Sequence, residues 1–389
     1  MAENAQRTEP VFGIPDEAAN DQAPGRQFER FTFTGSGAEY FRIWIVNLCL
    51  TVATLGIYSA WAKVRRLQYF DRNTVLAGAV FDFDGDPKVI LRGRVLAVLL
   101  AGAYQYAFGF SVAAGVSVVA LLLASLPYMM RGALRFRLRN TRYRGLRFHF
   151  TGSARGAYEA YLLPIMLFLL PAALLAIDPA SKTAIALPLA YLLWPLFHGV
   201  MKRYQHGHAA FGSLAASFTV KPRQFYKPYL AALGLALLGG TVLIVGTLAM
   251  SWALNLIFKL DQFALWRGGL GSALGGFLLA YLFYLLAGPY LQVRIGNLAW
   301  NATSCPGVEV LSEMQAREYM RLQTVNTVLT LLTLGLYRPF AVVRSYRYRI
   351  EKVILIVEGD IAHLVAGDGA AGSANADGVA DFLGVDLSW

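Results

Sequence analysis

Asn47, Thr51 and Thr54 stand at i, i+4 and i+7, a spacing that puts an amide and two hydroxyls on one helical face. Asn326, Thr330 and Thr333 repeat it at a constant offset of 279 residues. Buried in apolar surroundings, such a face either lines a polar path for a solute or ion, or supplies hydrogen bonds for helix packing and for capping a broken helix. Tyr58 and Tyr337 follow at matching positions and belong to the same candidate set. A second set is cationic: Lys63, Arg65, Arg66, Arg131, Arg135, Arg137 and Arg344, interleaved with Tyr and Phe. A nucleic-acid surface has similar composition. Beside a membrane, anionic lipid headgroups are the cheaper partner, at about 1 kcal/mol per cation near the surface. Lipid is therefore the expected partner and nucleic acid is not.

Other chemistry is poorly supplied. His206 and His208 alternate like strand residues, and no carboxylate lies near them to complete a metal site. Cys49 and Cys305, without a CxxC, exclude a disulfide framework and a zinc knuckle. HExxH, GxSxG, a P-loop and paired carboxylates are all missing, so neither an enzyme nor a cofactor is expected.

The elements that must position these residues are duplicated. Matched without gaps, Glu39–Tyr69 and Glu318–Tyr348 share 15 of 31 positions. Between the copies a smaller pattern recurs: RFTFTG, VFDFDG and LRFHFTG, with weaker forms ASFTVKP and GVEVLSE. Each reads as a strand, and several follow a basic helix end and a first strand near an Asn. Five units result: 28–80, 81–145, 146–215, 216–306 and 307–358. Residues 1–27, polar and proline-bearing, read as a disordered arm, and 359–389 as a flexible acidic tail.

Composition sets the class. The chain has 389 residues, 56% of them hydrophobic and only 15% charged, with a mean hydropathy of +0.46; soluble domains carry about 25% charged residues. The start lacks a basic region followed by an apolar core, so no cleavable leader is expected. Val95–Met130 is uncharged and, as one helix, would run about 54 Å, too long for a hydrocarbon core of about 30 Å. With arginines at both ends it should fold as a hairpin turning near Gly109–Gly115. Ala160–Ile177 with Thr183–Val200, and Tyr229–Phe258 with Leu270–Val293, repeat the scheme. Six spans in three hairpins follow, without a charged residue at their centres, which disfavours a proton-driven carrier. Only Lys182, Lys259 and Arg267 lie between paired spans, so 32 of the 35 Lys and Arg sit on the strand side. That asymmetry makes the strands and both termini cytoplasmic. Ile43–Ala62 and Leu322–Tyr337 are interrupted by Thr, Asn and Gly and flanked by cations, which fits re-entrant helix–turn–helix elements better than spans. The expected fold is mainly α: a polytopic transmembrane helical bundle of internal repeats with short cytoplasmic β-strands.

The run Asn47-x3-Thr51-x2-Thr54-Leu55-Gly56-Ile57-Tyr58-x2-Trp61-x-Lys63-x-Arg65, preceded by Glu39-Tyr40-Phe41, resembles the YjgN-like family of bacterial inner-membrane proteins of unknown function. The resemblance extends over roughly 28–358. It implies a multi-pass inner-membrane protein and supplies no activity or catalytic residues. The second copy departs from the motif at Pro339 and Phe340, which stand for Ala60 and Trp61. From the residues themselves the leading expectation is a non-enzymatic membrane or lipid-associated scaffold. The alternative is a small-solute channel or transporter lined by the duplicated Asn and Thr faces.

Overall fold

The computed structural model of the chain describes residues 26–178, 187–258, 285 and 287–359. Strands β1 (Arg26–Arg30) and β2 (Thr32–Phe33) lead into helices α1 (Gly37–Ala53) and α2 (Ser59–Arg72). β3 (Thr74–Leu76) and β4 (Ala79–Phe83) lead into α3 (Pro87–Phe110) and α4 (Val112–Arg139). β5 (Thr141–Tyr143) and β6 (Leu146–Phe150) precede α5 (Ala154–Ile177) and α6 (Trp194–Gly207). β7 (Ala209–Phe211), β8 (Leu214–Ala215) and β9 (Ser217–Phe218) precede α7 (Tyr226–Phe258) and α8, residues 287–300. β10 (Thr303–Cys305) and β11 (Val308–Ser312) precede α9 (Ala316–Leu332) and α10 (Arg338–Glu351), and β12 (Val353–Glu358) follows.

The same local chemistry makes these elements each time. Asn73 and Asn140 end α2 and α4, their side-chain amides donating to the carbonyls of Tyr69 (2.7 Å) and Phe136 (2.8 Å). The next residues, Thr74 and Thr141, bond back to Phe70 and Arg137, at 2.8 and 2.9 Å. A two-residue turn with both φ positive follows, Ala77-Gly78 or Arg144-Gly145, the geometry that suits a tight hairpin. After the second strand, Phe33, Phe83 and Phe150 fold their rings beneath the chain two residues on. A Cβ on Gly35, Gly85 or Gly152 would lie 2.7, 2.4 or 2.5 Å from that ring, so only glycine fits. Ser36, Asp86 and Ser153 then cap α1, α3 and α5 with side-chain oxygens.

Four hairpins, and the β12–β1 pair that joins the two ends of the described chain, close into a ring. One sheet runs β1-β12-β11-β10-β9 and the other β2-β3-β4-β5-β6-β7-β8, all pairs antiparallel. Phe31 alone separates β1 from β2, and Ala216 alone separates β8 from β9, so the two sheets share both edges. One backbone bond recurs at every joint: Thr34 to Asn73 (2.9 Å), Asp84 to Asn140 (2.9 Å), Thr151 to His208 (2.9 Å), Thr219 to Ala302 (3.1 Å) and Glu313 to Lys352 (2.9 Å). Leu76, Tyr143 and Val357 are buried inside the ring, packed by Phe31, Phe81, Phe148 and Phe211. Phe81 stacks on Tyr143 at 4.6 Å and Phe148 meets Phe211 at 4.8 Å. The ring is filled by aromatic side chains.

The helices stand on this ring. Tyrosine hydroxyls pin second helices to the start of first helices: Tyr69 to the Ser36 carbonyl (2.7 Å), Tyr204 to Ser153 (2.8 Å) and Tyr348 to Gln315 (3.1 Å). Between α2 and α4, the buried Asp71 pairs with Arg137 at 3.0 Å. Burial pushes the Asp71 carboxyl up, against the pull of Arg137. Four helical segments among the described residues are long and apolar enough to cross a membrane: Pro87–Phe110, Val112–Arg139, Ala154–Ile177 and Pro222–Gly246.

Several expectations are refined. The first long hairpin turns at Ser111, inside the expected window, and its helices continue past the uncharged run into their cationic ends, which gives each enough length. Arg26 and Gln27 belong to β1, paired with Glu358 and Val357, rather than to a disordered arm. The second strand of one unit meets the first strand of the next, so β4 pairs with β5 and not directly with β6. His206 lies on α6 and His208 caps it; they bond Thr303 and the Tyr204 carbonyl, so their alternation is not a strand's. The expected spans Thr183–Val200 and Leu270–Val293 lie partly outside the described residues, as do the N-terminal arm before Arg26 and the C-terminal tail beyond Gly359.

Phe81 touches aromatic rings from three other strands, β5, β6 and the β1–β2 link. Phe81→Ala should therefore cost about 3 kcal/mol, the low end for a phenylalanine truncation, and lower the melting midpoint in detergent. Val80→Ala, on the exposed face of the same strand, should leave the midpoint unchanged.

Candidate functional site

The duplicated elements form two helical hairpins that lie side by side. α1 packs on α10 around a core of Phe33, Tyr40, Tyr69, Phe70, Val343 and Ile350. Phe340 sits over Gly37 and 5.7 Å from Phe41, which accounts for phenylalanine where the first copy has Trp61: the ring serves the seam between copies. Tyr346 and Thr74 share a hydroxyl bond at 3.0 Å across the same seam. Burial pushes the Tyr346 phenol up to about 12, so it stays a neutral hydrogen-bonding group.

The turns match atom for atom. Thr51 and Thr330 donate to the carbonyls of Asn47 and Asn326, each at 2.6 Å. Thr54 and Thr333 donate to Leu50 and Leu329, each at 2.7 Å, and accept the backbone N–H of Tyr58 and Tyr337 at 2.9 Å. The Gly56 and Gly335 amides reach back to Thr51 and Thr330, at 2.8 and 2.7 Å, closing a left-handed helix end of the Schellman type. Leu55 (φ 50°) and Gly56 (φ 93°), like Leu334 (φ 49°) and Gly335 (φ 93°), hold positive φ. A leucine there is unusual, at about 1–2 kcal/mol, and it throws the side chain outward: Leu55 and Leu334 are 95% and 94% exposed. Each copy is a helix–turn–helix with an apolar tip.

The threonines spend their hydroxyls on their own helices and turns. The asparagines differ. Asn326 donates to Ser345 Oγ (3.1 Å) and the Ala341 carbonyl (3.3 Å) within its own hairpin. Asn47 is also buried, but its amide nitrogen makes no hydrogen bond among the described residues; the Oδ1 of each asparagine is without a partner there. The reason is one substitution in the repeat: Arg66 stands where the second copy has Ser345. A small cavity lined by Trp300, Met314, Tyr346, Arg349, Ile350 and Val353 has about the volume of one water molecule and reaches neither asparagine.

The aromatic and cationic residues behind each turn also correspond. Tyr58 stacks on Trp61 at 6.1 Å with Arg65 over its ring, its own hydroxyl buried without a partner. Tyr337 stacks on Phe340 at 5.5 Å and accepts from Arg344 at 2.8 Å. Arg66 lies over the Phe70 ring and Lys63 is half-buried on the same helix. Arg131 donates to the Gly152 carbonyl at 2.7 Å, and Arg135 is half-buried. Arg137, expected among the headgroup contacts, is drawn inward to Asp71 and the Phe83 ring, a pairing that its place in a basic cluster concealed. Among the described residues no group of His, Cys, Asp and Glu could hold a metal.

Comparison with known proteins decides the family. Residues 28–382 match the model of the family described as "Bacterial protein of unknown function (DUF898)". The chain belongs to this family. It is 33% identical to the inner membrane protein YjgN of Escherichia coli (strain K12), over 144 residues, 35% of this chain and 35% of the relative. YjgN of Salmonella typhimurium (strain LT2) is 30% identical over 142 residues, again 35% of each chain. The match thus spans about a third of the length of these curated relatives. No solved structure is similar.

Two mutational outcomes follow. Asn326→Leu should destabilise the fold by about 1–3 kcal/mol, because Ser345 loses its donor in a buried place, whereas Asn47→Leu should be neutral or stabilising. Denaturant or thermal midpoints in detergent compare them. Arg137→Met should cost about 3–5 kcal/mol by stranding Asp71, and the double change Arg137→Met with Asp71→Leu should restore most of it.

Proposed function

We propose that the protein is a multi-pass inner-membrane scaffold without catalytic activity, anchored by spanning helices and associated with anionic lipid on its cytoplasmic face. The observation that carries this reading is the pair of hairpin turns: their threonines are satisfied by their own backbones, while Leu55 and Leu334 project almost bare. A face meant to conduct a polar solute would leave hydroxyls free. These hairpins offer leucines to the acyl chains and keep Lys63, Arg65 and Arg344 behind. The aromatic filling of the β ring points the same way, since an axial route would have to pass Phe81, Tyr143, Phe148 and Phe211.

In this reading the five units form one polytopic bundle of internal repeats. The ring of strands and both termini face the cytoplasm, and Lys63, Arg65, Arg66, Arg131, Arg135 and Arg344 meet or approach headgroups. The rule that cations stay on the cytoplasmic side supports that orientation. A channel or transporter reading draws on one observation, the unpartnered side-chain oxygens of the buried Asn47 and Asn326. Reconstituted vesicles separate the two: a scaffold leaves their permeability to small solutes at the lipid-only level.

Orientation is tested by cysteines in a chain whose Cys49 and Cys305 are replaced by serine. Cysteine at Ser111 or Asp178 should react with an impermeant thiol reagent added to the outside of intact cells; cysteine at Asp84 or Thr151 should react only after lysis. Labelling of Thr151→Cys from outside would overturn the topology.

A further inference from the structure

Ser59 and Arg338 occupy the same place in the two copies, the first residue of α2 and of α10. They differ in type, yet the same charge arrives at both. From α3, the Arg94 guanidinium donates to Ser59 Oγ. At the second turn, Arg338 supplies a guanidinium from the hairpin itself. Its side chain is exposed and makes no hydrogen bond or ion pair among the described residues. Each turn therefore carries one cation beside exposed aliphatic side chains, Leu55 and Ile57 at the first and Leu334 and Leu336 at the second.

The setting makes that charge informative. α1 and α9 have 17 residues where α3 and α5 have 24, starting from equivalent points on the β ring. Ser59 meets Arg94, the eighth residue of α3, so the first turn lies within a side chain's reach of the ring-side third of that helix, about 24 Å of helix short of Phe110 at 1.5 Å per residue. A leucine-tipped turn belongs among acyl chains, and the Arg338 guanidinium, without a partner among the described residues, does not stay in hydrocarbon. Both demands are met if the headgroup layer dips to the turns, which is how a bilayer adapts to a short apolar element. The occupant must then join a phosphate to acyl chains, and a free phosphate cannot.

We propose that the two hairpin turns seat a matched pair of anionic phospholipids of the cytoplasmic leaflet, one phosphate at Arg94 and Ser59 and the other at Arg338, with acyl chains over Leu55 and Leu334. This rests on the lipid-associated reading above and assigns it two sites.

The test uses the full-length protein, stripped of lipid in detergent and titrated with phosphatidylglycerol or phosphatidylcholine, with bound lipids counted by native mass spectrometry. The wild-type chain should hold two phosphatidylglycerol molecules in preference to phosphatidylcholine. Arg338→Gln should lose one of them, its affinity falling roughly fivefold, the factor for one surface cation; Arg338→Lys should keep it. Arg94→Gln should lose the other. Should that variant misfold, the exposed Arg338 decides alone. Excess inorganic phosphate should displace neither lipid, and displacement would overturn the lipid as occupant. If Arg338→Gln and Arg94→Gln retain both lipids while Arg65→Gln and Arg344→Gln lose them, the two-site assignment falls and the lipid-associated reading stands. If the wild type shows no preference, that reading falls too.

Discussion

A two-stranded β-hairpin leaves a row of unpaired backbone groups on each edge and is marginal by itself. That constraint governs this protein. Each unit makes one short hairpin, and each hairpin is stabilised by handing its second strand to the first strand of the next. Carried around five joints, the rule closes on itself, with β1 and β12 completing the ring from opposite ends of the described chain. Closure removes every edge and creates the interior that the Phe and Tyr side chains fill. It also sets where the described helices stand.

The helices inherit their positions through bonds that recur because the residues do. A tyrosine near the end of a second helix reaches the carbonyl at the start of the first helix in three units. In the unit of α3 and α4, Phe136 takes that place and packs against Phe83 and Gly85 instead. Glycine after the Phe-containing strand and a capping oxygen one residue later fix the direction in which α1, α3 and α5 leave the ring. Length alone then divides the units into those with spanning helices and those whose turns end low.

The two low hairpins show how far sequence identity translates into equal structure. Their turns agree to within about 0.1 Å in the threonine bonds, because those bonds are local and every participant is conserved between the copies. Their flanks diverge because they face different neighbours. α10 turns Phe340 and Tyr346 toward α1 and the first unit; α2 turns Ser59 and Asp71 toward α3 and α4. Asn47 and Asn326, identical in the repeat, differ because Arg66 stands where the second copy has Ser345, whose hydroxyl Asn326 bonds.

Local pattern was legible from the sequence. The duplicated Thr-Leu-Gly turns, the Phe-x-Gly strand ends, the hairpin break near Ser111 and the apolar length of α3, α4 and α5 all depend on residues close together in the chain, where spacing and backbone preference decide the outcome. The family resemblance rested on the same runs. Contacts between distant residues were not legible. Nothing in the spacing of Asp71 and Arg137 announces that they pair, so Arg137 read as one more surface cation until α2 and α4 were brought together. Arg26 and Gln27 looked like the end of a polar arm because their partners lie more than 300 residues away in β12. The pairing of ring ends, the filling of its centre and the approach of Arg94 to Ser59 join groups that lie far apart in the chain. Only the tertiary structure decides them, because no local spacing or backbone preference links those groups.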